Sequence, residues 1–228
     1  MTLTVAEIVT RVRAAIDELM ENDSQFLRQS TDEANLTRVI IDKIGYALQH
    51  IMENAPLDKL DSDVFEELTP TELQQNFHIE SDLVGVLKLP KNLLRIIEAR
   101  LSSWSQFPTP ESDRSQVYLM QADKYARGSW DRPVNILTYR GADKTLEMYC
   151  AKTASDTLNF VFIRKPDVDS YDAEHPDAEV KVPAALEASL IYQIAGLSMV
   201  AFREDVAASL FAIAARYMDP EQAKGGSE

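Results

Sequence analysis

The chain has 228 residues, 45% of them hydrophobic and 26% charged, and 37 acidic against 23 basic side chains give a net charge of −14. That composition belongs to an ordinary globular protein, and the charge excludes a general grip on nucleic-acid phosphates or on anionic lipid, both of which need a basic footprint. A single cysteine, Cys150, excludes an intrachain disulfide and points to a cytoplasm, or to a particle assembled in one.

The N-terminus has acidic residues inside its apolar periodicity and lacks a charged-then-apolar leader pattern. Thr4 with Glu7 three residues on predicts a capping box opening a first helix, whose apolar stripe is Val5, Ile8, Val9, Val12, Ile16 and Leu19. After a loop over 21–29, Ser30 with Glu33 repeats the signature. A second helix follows on Leu36, Ile40, Ile44, Leu48 and Ile51 and stops before Pro56. Residues 57–82 are acidic and mixed, and read as a loop with one helical turn after Thr69.

Short segments bounded by Pro and Gly come next and read as strands: Val84–Leu89, Leu93–Trp104, Val117–Gln121, Pro133–Arg140, Lys144–Ala151 and Leu158–Arg164. Leu93, Ile97, Leu101 and Trp104 also fit a helical period, and the neighbouring strands decide for strand. Gly141-Ala142-Asp143 reads as a hairpin loop. Leu146, Met148 and Cys150 alternate with Glu147 and Tyr149 as in a half-buried strand, whereas Leu158 to Ile163 is apolar on both faces. Residues 167–181 read as an acidic extended linker.

Val182–Met218 is the longest apolar stretch. Leu186, Leu190, Ile194, Leu197 and Ala201, then Val206, Leu210, Ile213 and Tyr217, recur at helical spacing, with Pro183 suited to a first turn. A membrane span needs about 20 uncharged residues, and Glu187 and Arg203-Glu204-Asp205 bracket too short a run. A helix that apolar must be buried, in the core or against another subunit; the small residues Ala207, Ala208 and Ala212 are the candidate subunit contacts.

Chemistry-bearing patterns are sparse. His50, His78 and His175 lie far apart, Cys150 is expected on a buried strand face, and Asp58, Asp61, Asp63, Glu66 and Glu67 lack the glycine and spacing of a calcium loop. No phosphate-binding glycine string occurs. The sequence therefore predicts no catalytic residue, no cofactor and no metal. One stretch stands out: Arg114, Lys124, Arg127, Arg132, Arg140 and Lys144 interleave with Tyr118, Tyr125, Trp130 and Tyr139. It reads either as a contact surface or as a solvated β-surface balanced by acidic loops. As a contact surface it suits a protein partner, given the overall charge. Gln121, Tyr125, Arg127, Gly128, Trp130 and Arg132 are its candidate interface residues.

The order LPKNLLRIIEARLSSW, YLMQADKYARGSWDRPV, LEMYC and VPAALEASLIYQIAGLSMVAFREDVAASLFAIA resembles the head–tail connector, or adaptor ring, proteins of short-tailed bacteriophages, particularly the crAss-like phages. The resemblance spans roughly residues 84 to 218 and is most specific at Gln121, Tyr125-Ala126-Arg127-Gly128, Pro133 and Leu190–Leu197. It implies an α+β chain in which N- and C-terminal helices (1–56 and 182–219) form a bundle, a β-rich insertion (57–181) lies between them, and a tail (220–228) follows. It also implies a non-enzymatic virion protein, assembled in the host cytoplasm. The expected partners are further copies in a twelve-fold ring, the portal, other tail or ring proteins, and double-stranded DNA passing through without sequence-specific binding. No membrane partner is expected. Acidic residues of Asp58–Glu67 or Asp167–Asp177 are then expected to line or rim the channel.

Overall fold

The computed structural model describes residues 1–19, 30–123, 125–167 and 171–219, with residues 30–35 as backbone only. The chain is α+β, with six α-helices and ten strands among the described residues. It divides into two compact units: Met1–Val64 with Lys165–Glu228, and Phe65–Arg164. The divisions fall later than the expected boundary after residue 56 and earlier than the one before 182. Charge divides with them. Phe65–Arg164 carries 12 basic and 13 acidic side chains, a net −1, which leaves −13 of the chain's −14 to the unit built from both ends.

In the first unit, β1 (Thr2–Thr4) leads directly into α1 (Val5–Leu19). The predicted capping box forms: the Thr4 N–H donates to Glu7 Oε2 at 2.8 Å and the Glu7 N–H donates to Thr4 Oγ1 at 3.2 Å. Val5, Ile8, Val12 and Ile16 are buried, while Leu19, predicted on the same stripe, is 42% exposed. The helix α2 (Ser30–Asn54) ends ahead of Pro56 and buries its whole predicted stripe. The expected Ser30–Glu33 capping box, the loop over 21–29 and the tail over 220–228 lie outside the described residues.

Pro183 precedes a 3-10 turn (Ala184–Leu186), from which α5 (Glu187–Met199) continues. This helix packs against α1, α2 and α6 (Glu204–Met218). Its apolar circumference is therefore satisfied within the chain: Leu190, Ile194 and Ala195 have no exposure. Burying each large aliphatic side chain contributes about 1.5–3 kcal/mol. The polar interruptions are buried too. Ser189 Oγ donates to the Ala214 carbonyl of α6 at 2.9 Å, and Ser198 Oγ donates to the Ile194 carbonyl at 2.8 Å. At Gly196 a β-carbon would sit 2.6 Å from the Phe211 ring, so glycine lets α6 approach. Leu197 is half-buried and Ala201 exposed, because the helix ends before that turn. The expected linker is partly ordered by pairing: β10 (Glu179–Lys181) lies antiparallel to β1. Among the described residues no helix is long and apolar enough to cross a membrane.

The second unit is a small two-sheet sandwich. One sheet has the order β2 (Phe65–Glu67), β9 (Leu158–Arg164), β5 (Leu93–Leu101). The other has β3 (Phe77–Ile79), β4 (Gly85–Lys88), β8 (Asp143–Tyr149), β7 (Val134–Arg140) and β6 (Glu111–Ser112), the last pairing in parallel with β7. Between the sheets lie Leu87, Leu101, Trp104, Leu146, Met148, Phe160 and Phe162. The contested segment is a strand over Leu93–Leu101, with bulges near Arg95 and Ile96. The predicted turn after Thr69 is α3 (Pro70–Asn76), closed by a Thr69–Glu72 capping box. The region read as loop around it also holds β2 and β3, each too short to display a period of two. Gly141 has φ +67° at the first central position of the two-residue β7–β8 loop, where a type II′ turn calls for glycine.

Two strand readings need correction. Val117–Gln121 is not a strand: α4 (Gln116–Met120) forms there, because the Ser115 hydroxyl accepts from the Tyr118 N–H at 3.2 Å and caps it. And β8 is not half-buried. Leu146 and Met148 face the inter-sheet core, while Glu147 (7% exposed) and Tyr149 (8%) are covered on the other face.

Candidate interaction surface

The outer face of the five-stranded sheet carries Val84, Val86, Ile136 and Tyr149, with Val134 of β7 beside Tyr149 and Val117 and Tyr118 of α4 packed over them. Strand register brings Glu147 between Val86 and Ile136 on this same face. A buried carboxylate needs charged partners, and Arg140 supplies them: its Nε and Nη2 donate to Glu147 Oε1 at 2.9 and 2.6 Å, and its Nη1 donates to Glu80 at 2.6 Å. The Tyr149 hydroxyl donates to the other Glu147 oxygen at 2.6 Å. Burial and that hydrogen bond push the phenol well above its usual range.

Arg127 completes the network. Its guanidinium lies 5.1 Å from the Tyr149 ring centroid and donates to Asp82 at 2.8 Å. Asp82 and Glu80 both come from the β3–β4 turn, where the Glu80 carbonyl accepts from the Leu83 N–H at 2.9 Å and Leu83 takes φ 65°. A leucine in the left-handed region is uncommon; the turn thereby holds two carboxylates under two arginines. The hydrogen bond from Arg140 holds Glu80 below the usual carboxylate range, and the one from Arg127 does the same for Asp82. Both groups titrate around pH 4 in an unfolded chain. Their contribution to folding is thus complete above pH 4 and is lost as pH falls through the depressed native values. The expected result is a melting temperature that drops on acidification from pH 5 to 2.5, followed by circular dichroism. The drop should be shallower in Glu80→Gln/Asp82→Asn, and an identical acid slope in that variant would contradict the assignment.

The candidate interface residues separate into two groups. Gln121, Arg127 and Gly128 point inward and brace the loop. Gln121, 7% exposed, donates through Nε2 to the Val117 carbonyl at 2.7 Å and accepts the Gly128 N–H at 2.9 Å. A β-carbon on Gly128 would lie 3.0 Å from the Tyr149 carbonyl oxygen, so a side chain there would have to push β8 aside by a few tenths of an ångström. Tyr125, Trp130 and Arg132 face solvent: Tyr125 is 94% and Trp130 47% exposed. Lys152 Nζ lies 4.7 Å from the Trp130 ring centroid. Lys124 lies outside the described residues. On α6, Ala208 and Ala212 are exposed as expected, but Ala207 is 2% exposed and belongs to the core, because it falls on the α5 side of the helix. The Glu80, Asp82, Glu147 and Tyr149 members were not among the sequence candidates. The available signal was the pair of arginines, Arg127 and Arg140, in a β-rich region.

Cys150 is half-buried, and burial raises its thiol above the ordinary range; the charges acting on it are Arg127 and Asp82. Such a thiol is a poor nucleophile. His50 bonds to Asn54, His175 to Asp172, and His78 is exposed on β3. Among the described residues no group of three His, Cys, Asp or Glu is placed to hold a metal ion. What the arrangement does offer is a braced loop presenting aromatic side chains, the composition of a protein-contact surface.

No protein-family model and no curated protein matches the chain.

Proposed function

We propose that this chain is a structural subunit of a head–tail connector ring of a short-tailed, crAss-like bacteriophage, docking below the portal and forming part of the DNA channel. In this reading the helices from the two chain ends form a bundle and the β-rich unit is the insertion. Twelve copies surround the channel, and the protein has no enzymatic role. It is assembled in the bacterial cytoplasm and carried in the virion.

The observation that carries the reading is the division of charge: one unit with −13, the other near neutral. A strongly negative surface repels duplex phosphates, so DNA can pass it without being held. Asp58, Asp63, Asp172, Glu174 and Asp177 are all exposed and available for such a wall. The near-neutral unit, with its braced aromatic loop, is suited to contacts with neighbouring copies and with other tail proteins.

Electron cryomicroscopy of the chain mixed with purified portal rings tests this. The expected image is a ring below the portal with an acidic lumen. A chain that ignores portal rings, or a ring whose lumen is basic or neutral, would overturn it. The second outcome to look for is a monomer that recruits another protein through Tyr125 and Trp130; it would make the β-rich unit a soluble interaction module.

A further inference from the structure

Tyr125 has a setting unusual for so exposed a side chain. Its N–H donates to Asp123 Oδ1 at 2.8 Å, and the Ala126 and Arg127 N–H groups both donate to the Asp123 carbonyl, at 3.2 and 2.9 Å. The Gln121–Gly128 clamp and the Arg127–Asp82 ion pair fix the two sides of the same loop. An aromatic side chain held out on a braced loop loses little conformational freedom on binding, which is the property of an interface anchor.

The same unit has a receptor of matching size elsewhere on its surface. Leu93, Leu94 and Ile96 of the edge strand β5, with Pro110, Leu137 and Lys144, line a groove of about 190 Å³. That is below the roughly 300–1,000 Å³ of small-molecule pockets and close to the size of one aromatic side chain. The side chains that line it are apolar apart from Lys144, and tyrosine presents the complement: an apolar ring with a polar tip. The exposed ammonium of Lys144 can donate to the phenol oxygen or lie over the ring.

We infer that Tyr125 of one copy seats in the Leu93–Leu94–Ile96–Lys144 groove of the next. The assignment rests on the ring reading above and supplies its subunit contact. Knob and groove are different patches, so the contact is heterologous. Repeated from copy to copy, such a contact propagates, and it closes into a ring where the rotation between copies divides a full turn; a self-complementary patch stops at a dimer.

The test uses the full chain under conditions where it assembles. Tyr125→Ser, which removes only an exposed ring, and Lys144→Glu should each weaken self-association about tenfold or more in light scattering, with unchanged far-ultraviolet circular dichroism. In a Cys150→Ser background, Tyr125→Cys/Leu94→Cys should give, on oxidation, a ladder of disulfide-linked species beyond the dimer. Each single cysteine should stop at a dimer or remain monomeric. Native-like assembly by both surface variants, together with no ladder, overturns the contact. If those variants still form rings on the portal, the contact is wrong and the connector reading stands. A ladder from a chain that never docks on the portal keeps the contact and removes the connector reading.

Discussion

Leu190→Asp and Ile194→Asp are each expected to abolish the folded helical unit. Both side chains are fully buried at the centre of α5, which is surrounded by α1, α2 and α6. A carboxylate there would sit in a fully buried position packed among apolar side chains, and an unpaired buried charge costs several kcal/mol even after its pKa adjusts. The whole stability of a domain is about 5–15 kcal/mol. Losing the aliphatic burial as well leaves nothing to hold the helices. Loss of helical circular dichroism and of a cooperative melt is the expected reading; a native-like melt would refute the packing. The exposed alanines behave differently. Ala208→Leu and Ala212→Leu are expected to alter stability by no more than about 0.5 kcal/mol, so any effect they have on assembly reports a subunit contact. Ala207→Leu cannot serve that purpose, because overpacking its buried site costs about 1–3 kcal/mol on its own.

The second large effect is expected at Glu147→Ala. Removing this carboxylate strips one of two acidic partners from Arg140 and leaves the buried Tyr149 hydroxyl without its acceptor. Breaking a buried ion pair from one side costs about 3–5 kcal/mol. Arg140 is partly exposed and keeps Glu80, which reduces the expected loss to about 2–3 kcal/mol. Chemical denaturation measures it. Glu147→Ala combined with Tyr149→Phe should cost less than the sum of the two single changes, because the orphaned hydroxyl is gone. Strict additivity would mean that the network does not act as one.

The helical part was legible wherever the information is local. Thr4 and Glu7 lie one turn apart, and the α2 stripe from Leu36 to Ile51 is buried at every predicted position. The three-residue strands β1, β2 and β10 were not legible, since their ladders are set by partners such as Ile163 for Phe65 and Lys181 for Thr2, far along the chain. At β8 the alternation was real but its meaning was reversed. A polar residue on a strand marks a solvent face only when no internal charge claims it, and Arg140 claims Glu147. The contact surface divides along the same line. Composition singled out this loop, but Arg127 turns inward because Asp82, 45 residues earlier, meets it. Tyr125 stays outside, 94% exposed.

The pairing of β1 with β10 has a consequence for how the chain is made. The β-rich unit is continuous, Phe65–Arg164, whereas the helical unit takes residues from both ends. On a ribosome the sandwich can complete its ladders as soon as Arg164 has emerged, since domains fold as units in the order of synthesis. Thr2–Thr4 must wait for Glu179–Lys181, and α1 and α2 must wait for α5 to cover their apolar stripes. The first helices synthesised are therefore the last to be buried. From the emergence of Arg164 until α5 follows, the nascent chain carries both a folded sandwich and an uncovered amphipathic pair, and that interval is when a holding chaperone would bind it.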